Sequence, residues 1–567
     1  MSFDPQRISY VDIYPPIGVS RVGDSREWYL GSEIPGKELI PEGGFKDANY
    51  KIKRQGVLFR VYAFDVNNNV LGEVVDDGQN YQMEWKVHVA NKKSAWVRFR
   101  GKYACERFQL RNPTVQGWSN GQQPTYEYTD TRTRLIIDSG AKTITKSDTD
   151  FVPLEGDFYE AKADPAGRLI FLAGDGLSYA LETKDEPPAN QPEQSDTFNN
   201  DDWVDSMCDG HVSVTVKYRG TQLTTKNRAT AITAPPKFTS GLQCPTTLLE
   251  LVEEIYERKK RSEPGYRKPD VVFHRDIAPL FNRIYQMSWT NFRANEGHGP
   301  RKAPLWINNP DLYDPETPNP QVRKNIFARI RVPVDKWNPE NERRREEEAY
   351  MYYMPRLGGN AGDMPENSDN FQTGTAVVPA ESFESIELKD KPAALTTAAL
   401  EWSVGAPLYP GIECFWIAEY DNSWDLASNV NESLKSYRFS NKILPGDLGK
   451  GLALPWQADF FMCNTHWWPS VRPDNIVTQE HFAEMKQFLA PDVKDLALNL
   501  TKRTRWDDGL DRGPKPGDDE RPGNAEMTRK WMLLGFVAQE QYSEPDRDHL
   551  PIFIEKERHP DLPRFSE

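Results

Sequence analysis

The sequence is poor in the residues that most often bind metals or form disulfides. Its five cysteines stand at positions 105, 208, 244, 414 and 463, with no CxxC pair among them. An odd and scattered set of this kind indicates reduced thiols rather than a disulfide framework. The eight histidines include no HExxH motif and no i, i+4 pair of ligand type. We therefore expect no metal site.

Other features are missing too, and each absence excludes a class of function. The sequence contains no GxGxxG and no Walker loop, which argues against a nucleotide-binding cradle. No apolar run approaches the ~18 residues of a membrane-spanning helix, and the N-terminus lacks the pattern of a signal peptide. The net charge of −15 argues against nucleic acid or an anionic membrane as the main partner. We expect a cytoplasmic protein or one exported by a non-classical route.

The chain is long, and its hydrophobic residues follow a strand-like period in the first half and a helix-like period in the second. Its 567 residues are too many for one compact core, and 38% of them are hydrophobic, as in soluble globular proteins. The first half alternates apolar and polar residues, as from Tyr81 to Val89 and from Val212 to Tyr218, which is typical of half-buried strands. We predict a β-rich domain over residues 1–235, with a polar loop at about 185–200.

The period changes after about residue 236. Thr247 and Glu250 form a capping-box pair ahead of a helical stripe that begins at Leu248. Helical spacing recurs at 275–292 and 478–489, and long loops are expected at 294–322 and 356–375. The sequence therefore predicts an α+β protein. A β-rich antiparallel N-terminal half packs against a mixed helical and loop-rich C-terminal half, residues 236–567, which carries the active site.

One C-terminal stretch, WQADFFMCNTHWWPSVRP (456–473), places a carboxylate and a thiol among aromatic residues. Asp459 stands four residues before Cys463, so on a helical turn the two side chains share one face. Apolar surroundings would raise the pKa of the Asp459 carboxyl and make it a usable proton acceptor near neutrality. The plainer interpretation is a buried aromatic cluster with a hydrogen-bonded aspartate and an inert thiol. These residues alone leave both interpretations open.

Motifs along nearly the whole chain point to one family. They are IYPPIGVSRVGDSREWYLGSEIPG (13–36), FKD (45–47), KRQGVLFRVY (53–62), the dipeptide at 209–210, residues 323–333 and MPRL (354–357). Asp459 and Cys463 have the family's carboxylate-to-thiol spacing, and Trp531 follows at about the expected separation. On these grounds the chain resembles the lysine ε-oxidase/glycine oxidase family, whose members carry a cysteine tryptophylquinone built from their own side chains.

The resemblance implies an oxidative deamination. Trp531 is expected to be oxygenated to an ortho-quinone and joined to Cys463 through a thioether, which supplies the electrophile that ordinary side chains lack. Asp459 is expected to remove a proton from the carbon of a bound primary amine. The products are an aldehyde or oxo acid, ammonia and hydrogen peroxide, with dioxygen as co-substrate. The family suggests L-lysine at its ε-amine, or glycine, as the substrate, and the acidic net charge slightly favours a cationic one.

Four further residues are candidates for the substrate pocket. Cys414 lies near tryptophans, and it either lines the pocket or is an inert buried thiol. His466 either hydrogen-bonds a substrate carboxylate or satisfies a backbone group. Phe461 and Trp467 are expected to form an aromatic wall. Trp467 is also close enough in sequence to rival Trp531 as the quinone-forming residue.

The resemblance also implies partners. A dedicated flavoprotein is expected to mature the cofactor, the small-molecule partner is a free amino acid, and a homo-oligomer is expected. Two rival functions stay open. One is a catalytically silent, β-rich binding or structural member of the family that lacks the cross-link. The other is a quinoprotein amine dehydrogenase, which passes its electrons to a redox protein and forms no peroxide.

Overall fold

A computed structural model describes most of the 567-residue chain. The described residues are 3–96, 110–112, 135–155, 158–181, 199–261, 271–302, 306–307, 309–314, 321–322, 371–376, 378–405, 412–426, 435–462, 470–488, 502–510, 525–540 and 550–564.

Fourteen of the described strands form one large sheet. Its main path runs β7-β6-β14-β16-β2-β4-β11-β10-β9, with β1, β3 and β5 on β4, β8 on β6 and β15 on β14. The bounds of these strands are β1 (Tyr10–Tyr14), β2 (Ile17–Arg21), β3 (Trp28–Leu30), β4 (Arg54–Phe64), β5 (Val70–Val74), β6 (Tyr81–Asn91), β7 (Ile137–Asp138), β8 (Lys142–Thr145), β9 (Val152–Pro153), β10 (Tyr159–Ala163), β11 (Leu169–Ala173), β14 (Asp209–Tyr218), β15 (Thr221–Gln222) and β16 (Ala229–Ala234).

The other described strands form two-stranded sheets. The pairs are β12 (Ser178–Ala180) with β13 (Trp203–Asp205), β17 (Val271–Val272) with β18 (Phe371–Gln372), β19 (Asn475–Ile476) with β20 (Thr504–Arg505), and β21 (Phe536–Glu540) with β22 (Ile552–Lys556).

The large sheet is mainly antiparallel, and its side chains follow the predicted alternation. Strand β6 pairs antiparallel with β14 along its length. On β6, Tyr81, Met83 and Trp85 are buried, while Gln82 and Glu84 between them are exposed. Two pairings of this sheet, β2 with β16 and β3 with β4, are parallel. The predicted α+β class with a β-rich antiparallel N-terminal half is confirmed, with these two parallel pairings as exceptions.

Helices are concentrated in the second half, where the capping signals predicted them. The Thr247 N–H donates to Glu250 Oε2 at 2.9 Å, and the Glu250 N–H donates to Thr247 Oγ1 at 3.3 Å, which confirms the capping box. The described α-helices are α1 (Leu248–Arg261), α2 (Ala278–Met287), α3 (Phe292–His298), α4 (Pro310–Tyr313), α5 (Lys391–Glu401), α6 (Gln457–Met462), α7 (Gln479–Phe488) and α8 (Ala525–Lys530). No described helix is both long and apolar enough to cross a bilayer.

The loop predicted over 294–322 is wrong in part. Helix α3 begins at Phe292 and extends into this region, and Asn291 Oδ1 accepts the Ala294 N–H at 2.9 Å. Helix α4 begins after Asn309, whose Oδ1 accepts the Asp311 N–H at 3.0 Å. Asn291 and Asn309 act as N-caps of these two helices. The second predicted loop, 356–375, and the polar loop at 185–200 lie largely outside the described residues.

Two buried clusters organise the molecule. The sheet core lies within the large sheet and is made of residues of the first 235 positions, among them Val11, Phe59, Trp85, Tyr159, Phe171 and Val214. The site core joins the two halves of the chain, since it contains Val22 and Phe45 together with Trp456, Phe460 and Trp531. The large sheet ends at Ala234 and α1 begins at Leu248. The division into domains at residue 235 stays a prediction.

Candidate active site

The carboxylate singled out by sequence, Asp459, lies on the short helix α6. Two contacts from the N-terminal half hold the start of this helix. The Trp456 N–H donates to Asp205 Oδ2 at 3.0 Å, which satisfies a backbone donor that has no partner within the helix. Ser178 Oγ donates to Gln457 Oε1 at 2.7 Å. The position of Asp459 is therefore fixed by residues far away in sequence.

Trp531 lies where helix α8 passes into a single 3-10 turn, Trp531–Leu533. Its side chain is completely buried, and helices α6 and α8 pack against each other. The ring of Trp456, at the start of α6, meets the ring of Trp531 edge-on, with centroids 5.0 Å apart and planes at 73°. Asp459 thus lies on a helix that packs against α8, and α8 ends directly before Trp531.

Gly176 explains how the large indole of Trp531 is accommodated. This residue follows β11 and has φ of +76°, in the left-handed region that favours glycine. A Cβ at this position would lie 2.8 Å from Trp531 Cζ2 and 2.9 Å from Cη2, well inside van der Waals contact. The Gly176 carbonyl is in turn held by Trp456 Nε1, which donates to it at 2.8 Å. Glycine therefore makes room for the benzo edge of the tryptophan.

The environment of Asp459 favours a protonated carboxyl. The side chain is buried, and no described residue donates a hydrogen bond to its Oδ1. Burial raises the pKa of Asp459 from 3.8 to about 8. The cations of Lys93 and Arg111 oppose this rise in pKa, whereas the carboxylate of Asp205 adds to it. A carboxyl with such a pKa and an unsatisfied oxygen is suited to proton transfer near neutral pH.

Three charged residues beneath α6 were missed in the sequence. Lys93 and Asp205 form an ion pair of 2.8 Å in which both side chains are almost completely buried. Burial lowers the pKa of Lys93 from its ordinary value. Arg111 donates to the carbonyls of Leu452 and Lys450, just before α6. The one signal in sequence was a pair of lysines directly after a strongly alternating strand, but burial of a lysine cannot be read from such a pattern.

Of the other residues predicted from the sequence, only Cys414 has a described side chain. Cys463, His466 and Trp467 lie outside the described residues, as does the side chain of Phe461. Cys414 is buried in a third cluster, together with residues of α1 and α5, and not in the site core. Their assigned roles stay predictions.

A cavity of about 90 Å³ lies between the large sheet and α5. Its lining includes Tyr29, Lys237, Trp402 and Phe536. Neither Asp459 nor Trp531 lines it, so it is not the space between the two residues assigned to the chemistry.

The described part of the site fits a tryptophan-derived cofactor. Trp531 Nε1 is buried and has no acceptor among the described residues. The bare Cα of Gly176 lets the benzo edge of the indole come closer than a residue with a Cβ would allow. Among the described residues no cluster of His, Cys, Asp and Glu side chains is arranged to hold a metal ion.

Comparison with known proteins agrees with this architecture. Residues 14–232 match the family model described as L-lysine epsilon oxidase N-terminal, and residues 367–484 match the L-lysine epsilon oxidase C-terminal domain. The two matches together span more than half of the chain, and the second includes Asp459. The L-lysine 6-oxidase of Marinomonas mediterranea is 26% identical over 547 aligned positions, which cover 80% of this chain and 71% of that protein.

Solved structures show the same fold. The L-Lys epsilon-oxidase of Marinomonas mediterranea superposes with a TM-score of 0.66 at 19% identity, covering 97% of this chain and 94% of that one. The structure of its Schiff base intermediate with L-Lys gives the same TM-score at 18% identity, covering 97% and 95% of the two chains. By its two family matches, supported by this fold, the chain belongs to the L-lysine ε-oxidase family.

Proposed function

We propose that this protein is a quinoprotein amino-acid oxidase that deaminates L-lysine at its ε-amine. The observation that carries the proposal is the buried Asp459, whose Oδ1 has no donor among the described residues and whose helix packs against α8, the helix that ends directly before Trp531. The overall reaction converts R–CH2–NH2, O2 and H2O into R–CHO, NH3 and H2O2.

The cofactor in this proposal is a cysteine tryptophylquinone formed from Cys463 and Trp531. Such a group supplies an electrophilic carbonyl for a primary amine and accepts two electrons. The protein's own contribution is to exclude water and to hold reacting groups in place. The edge of Trp456 and the bare Cα of Gly176 hold the indole of Trp531 on two sides.

Asp459 is assigned the proton transfer. No described residue donates to its Oδ1, so this oxygen is the one assigned to take a proton from the substrate carbon next to the amine nitrogen. Only the ionised carboxylate accepts this proton, and burial raises the pKa of Asp459 to about 8. Because ionisation increases as the pH rises toward this value, we expect kcat/KM to rise with pH and to level off above it.

The choice of L-lysine rests on the family and on charge. The Marinomonas mediterranea relative is an L-lysine 6-oxidase, and the net charge of −15 attracts a cationic substrate more than a neutral one. Glycine is the alternative amino acid. The proposal includes maturation by a flavoprotein partner and assembly into a homo-oligomer.

Mass spectrometry and a peroxide assay test this function together. The protein is produced in its native host with the maturation partner, and its intact mass is compared with that of Cys463→Ser. We expect the wild type to show gained oxygen and lost hydrogen, a tryptic cross-link between the peptides of Cys463 and Trp531, and peroxide release with L-lysine. Cys463→Ser should lack the cross-link and the visible quinone absorbance.

Each alternative predicts a different result. An unmodified mass in the wild type would contradict the oxidase and favour the catalytically silent family member. Amine oxidation without peroxide, in the presence of the cross-link, would indicate a dehydrogenase. Peroxide release with glycine and not with L-lysine would keep the oxidase and replace its substrate.

A further inference from the structure

Two adjacent lysines at the end of β6 are both buried, yet they hold different parts of the molecule. Lys92 Nζ lies 3.0 Å from Asp447 Oδ1, and Lys450 Nζ lies 3.1 Å from the same oxygen. Lys93 Nζ lies 2.8 Å from Asp205 Oδ2. Burial of a charge is unfavourable unless the charge is paired, so each lysine depends on its carboxylate.

The Lys93–Asp205 pair lies directly beneath the start of α6. Lys93 Nζ also donates to the Ala453 carbonyl at 2.9 Å. Asp205 Oδ2 also accepts the Trp456 N–H at 3.0 Å, and Asp205 Oδ1 accepts from Asn91 Nδ2 at 2.9 Å. Both members of the pair therefore bind backbone atoms of the segment that leads into α6, within six residues of Asp459.

The charges that act on Asp459 come from three places. They are Lys93 on the turn after β6, Arg111, and Asp205 on β13. Helix α8 packs against α6, but none of its charged residues is among those that shift the pKa of Asp459. Its Lys530 pairs with Glu526 at the partly exposed surface, and Arg529 is exposed. Lys93 has the largest effect of these charged groups.

We propose that Lys93, anchored by Asp205, is a positioning residue for the base: it fixes the start of α6 and supplies the positive charge against which Asp459 ionises. The base role of Asp459 comes from the proposed function, but the electrostatic coupling of Lys93 to Asp459 does not depend on it. A neutral residue at 93 would remove a favourable interaction with the ionised carboxylate. The pKa of Asp459 would then rise further.

The test measures this pKa directly in the full-length protein. Infrared difference spectra over a pH series report the protonated carboxyl of Asp459, identified by its absence in Asp459→Asn. We expect Lys93→Met to move the titration upward by about 1–3 pH units, the range for loss of a neighbouring opposite charge. The acid limb of the kcat/KM profile should move by the same amount.

Lys92→Met is the matched control, since it removes the neighbouring buried lysine and leaves Asp447 with Lys450. It should leave the titration of Asp459 unchanged. Lys93→Met leaves Asp205 buried without its cation, so the double variant Lys93→Met/Asp205→Asn is included as well. Replacing both members of a buried ion pair is often tolerated. We expect the double variant to keep the native near-ultraviolet circular dichroism and to show a smaller upward shift.

Three results would overturn the proposal. They are an unshifted titration in both Lys93 variants, an equal shift in Lys92→Met, and loss of the native spectrum in the double variant. An upward shift in the pKa of Asp459 that is found only with the Lys93 variants supports the proposal, even if the protein oxidises no amine. The infrared measurement therefore distinguishes failure of this inference from failure of the proposed function.

Discussion

Two completely buried tryptophans, one in each core, are held in opposite ways. Trp85 in the sheet core donates its Nε1–H to the Gly167 carbonyl at 2.8 Å. Trp531 in the site core has no acceptor for Nε1 among the described residues. A buried donor without a partner costs about 1–3 kcal/mol. Trp85 is therefore anchored by a hydrogen bond, whereas no described residue anchors the indole N–H of the tryptophan assigned to the cofactor.

The same contrast separates two buried aspartates. Asp205 accepts hydrogen bonds from Lys93 Nζ, Asn91 Nδ2 and the Trp456 N–H. Asp459 has an oxygen that no described residue reaches. A fully bonded carboxylate serves to hold structure, while an unsatisfied one is available to a reacting group. For these two aspartates the difference in hydrogen bonding matches the difference in their assigned roles.

The largest expected effect comes from exchanging each tryptophan for phenylalanine. Trp531→Phe should abolish the quinone absorbance and peroxide release, because phenylalanine cannot form the cofactor. Trp85→Phe should keep both, yet lower the free energy of unfolding by about 3 kcal/mol, since it loses volume and leaves the Gly167 carbonyl without its donor. Visible spectra and urea denaturation of the two variants measure the contrast. Retained absorbance in Trp531→Phe would exclude it as the quinone former.

The sequence predicted the local features of the fold because local chemistry sets them. The Thr247–Glu250 capping box lies within one turn, and its hydrogen bonds form whatever surrounds it. The helix predicted at 478–489 is observed as Gln479–Phe488, because its apolar stripe needs only one buried face. The loop at 294–322 was predicted less well, because asparagine is common both in loops and at helix N-caps.

The residues that hold the site in place could not be predicted, because they meet through contacts between distant parts of the sequence. Lys93 and Asp205 are 112 positions apart and meet only because β13 and the turn after β6 are brought together by the fold. Gly176 and Trp531 are far apart in sequence but lie against each other in the fold. The segment Gly174-Asp175-Gly176 alone does not indicate that a tryptophan packs beside it. Asp459 was singled out by its own stretch of sequence, whereas Trp531 was assigned by family resemblance, which carries tertiary information that periodicity does not. Both roles stay predictions.

A second, smaller effect concerns Asp459. Asp459→Asn should lower kcat by at least about 100-fold if the carboxylate is the base. The same change should stabilise the fold at alkaline pH. Burial raises the pKa of Asp459 from 3.8 to about 8, so the folded state binds its proton more tightly than the unfolded state does. Wild-type stability therefore falls as the pH rises between these two values, by up to about 1.4 kcal/mol per pH unit.

Asparagine has no such titration, so the gap in Tm between Asp459→Asn and wild type should grow from pH 4 to pH 8 and then stay constant. Differential scanning calorimetry over this range measures the gap. A gap independent of pH would mean that Asp459 is as easily ionised in the folded as in the unfolded chain, and the contrast with Asp205 would disappear.

The smallest expected effect concerns Gly176 and separates two reasons for a glycine. Alanine at this position faces both an unfavourable backbone, with φ of +76°, and overlap with Trp531 Cζ2 and Cη2. Gly78 has nearly the same φ, +72°, but nothing lies within 4 Å of a Cβ built there. Gly78→Ala should therefore lower the free energy of unfolding by only the ~1–2 kcal/mol of a left-handed backbone and leave cofactor formation unchanged.

Gly176→Ala should lower the free energy of unfolding further and reduce the fraction of chains that carry the Cys463–Trp531 cross-link, measured by intact mass. If the two variants lose equal stability and both form the cross-link fully, Gly176 is needed only for its positive φ, and its contact with Trp531 does not require a glycine.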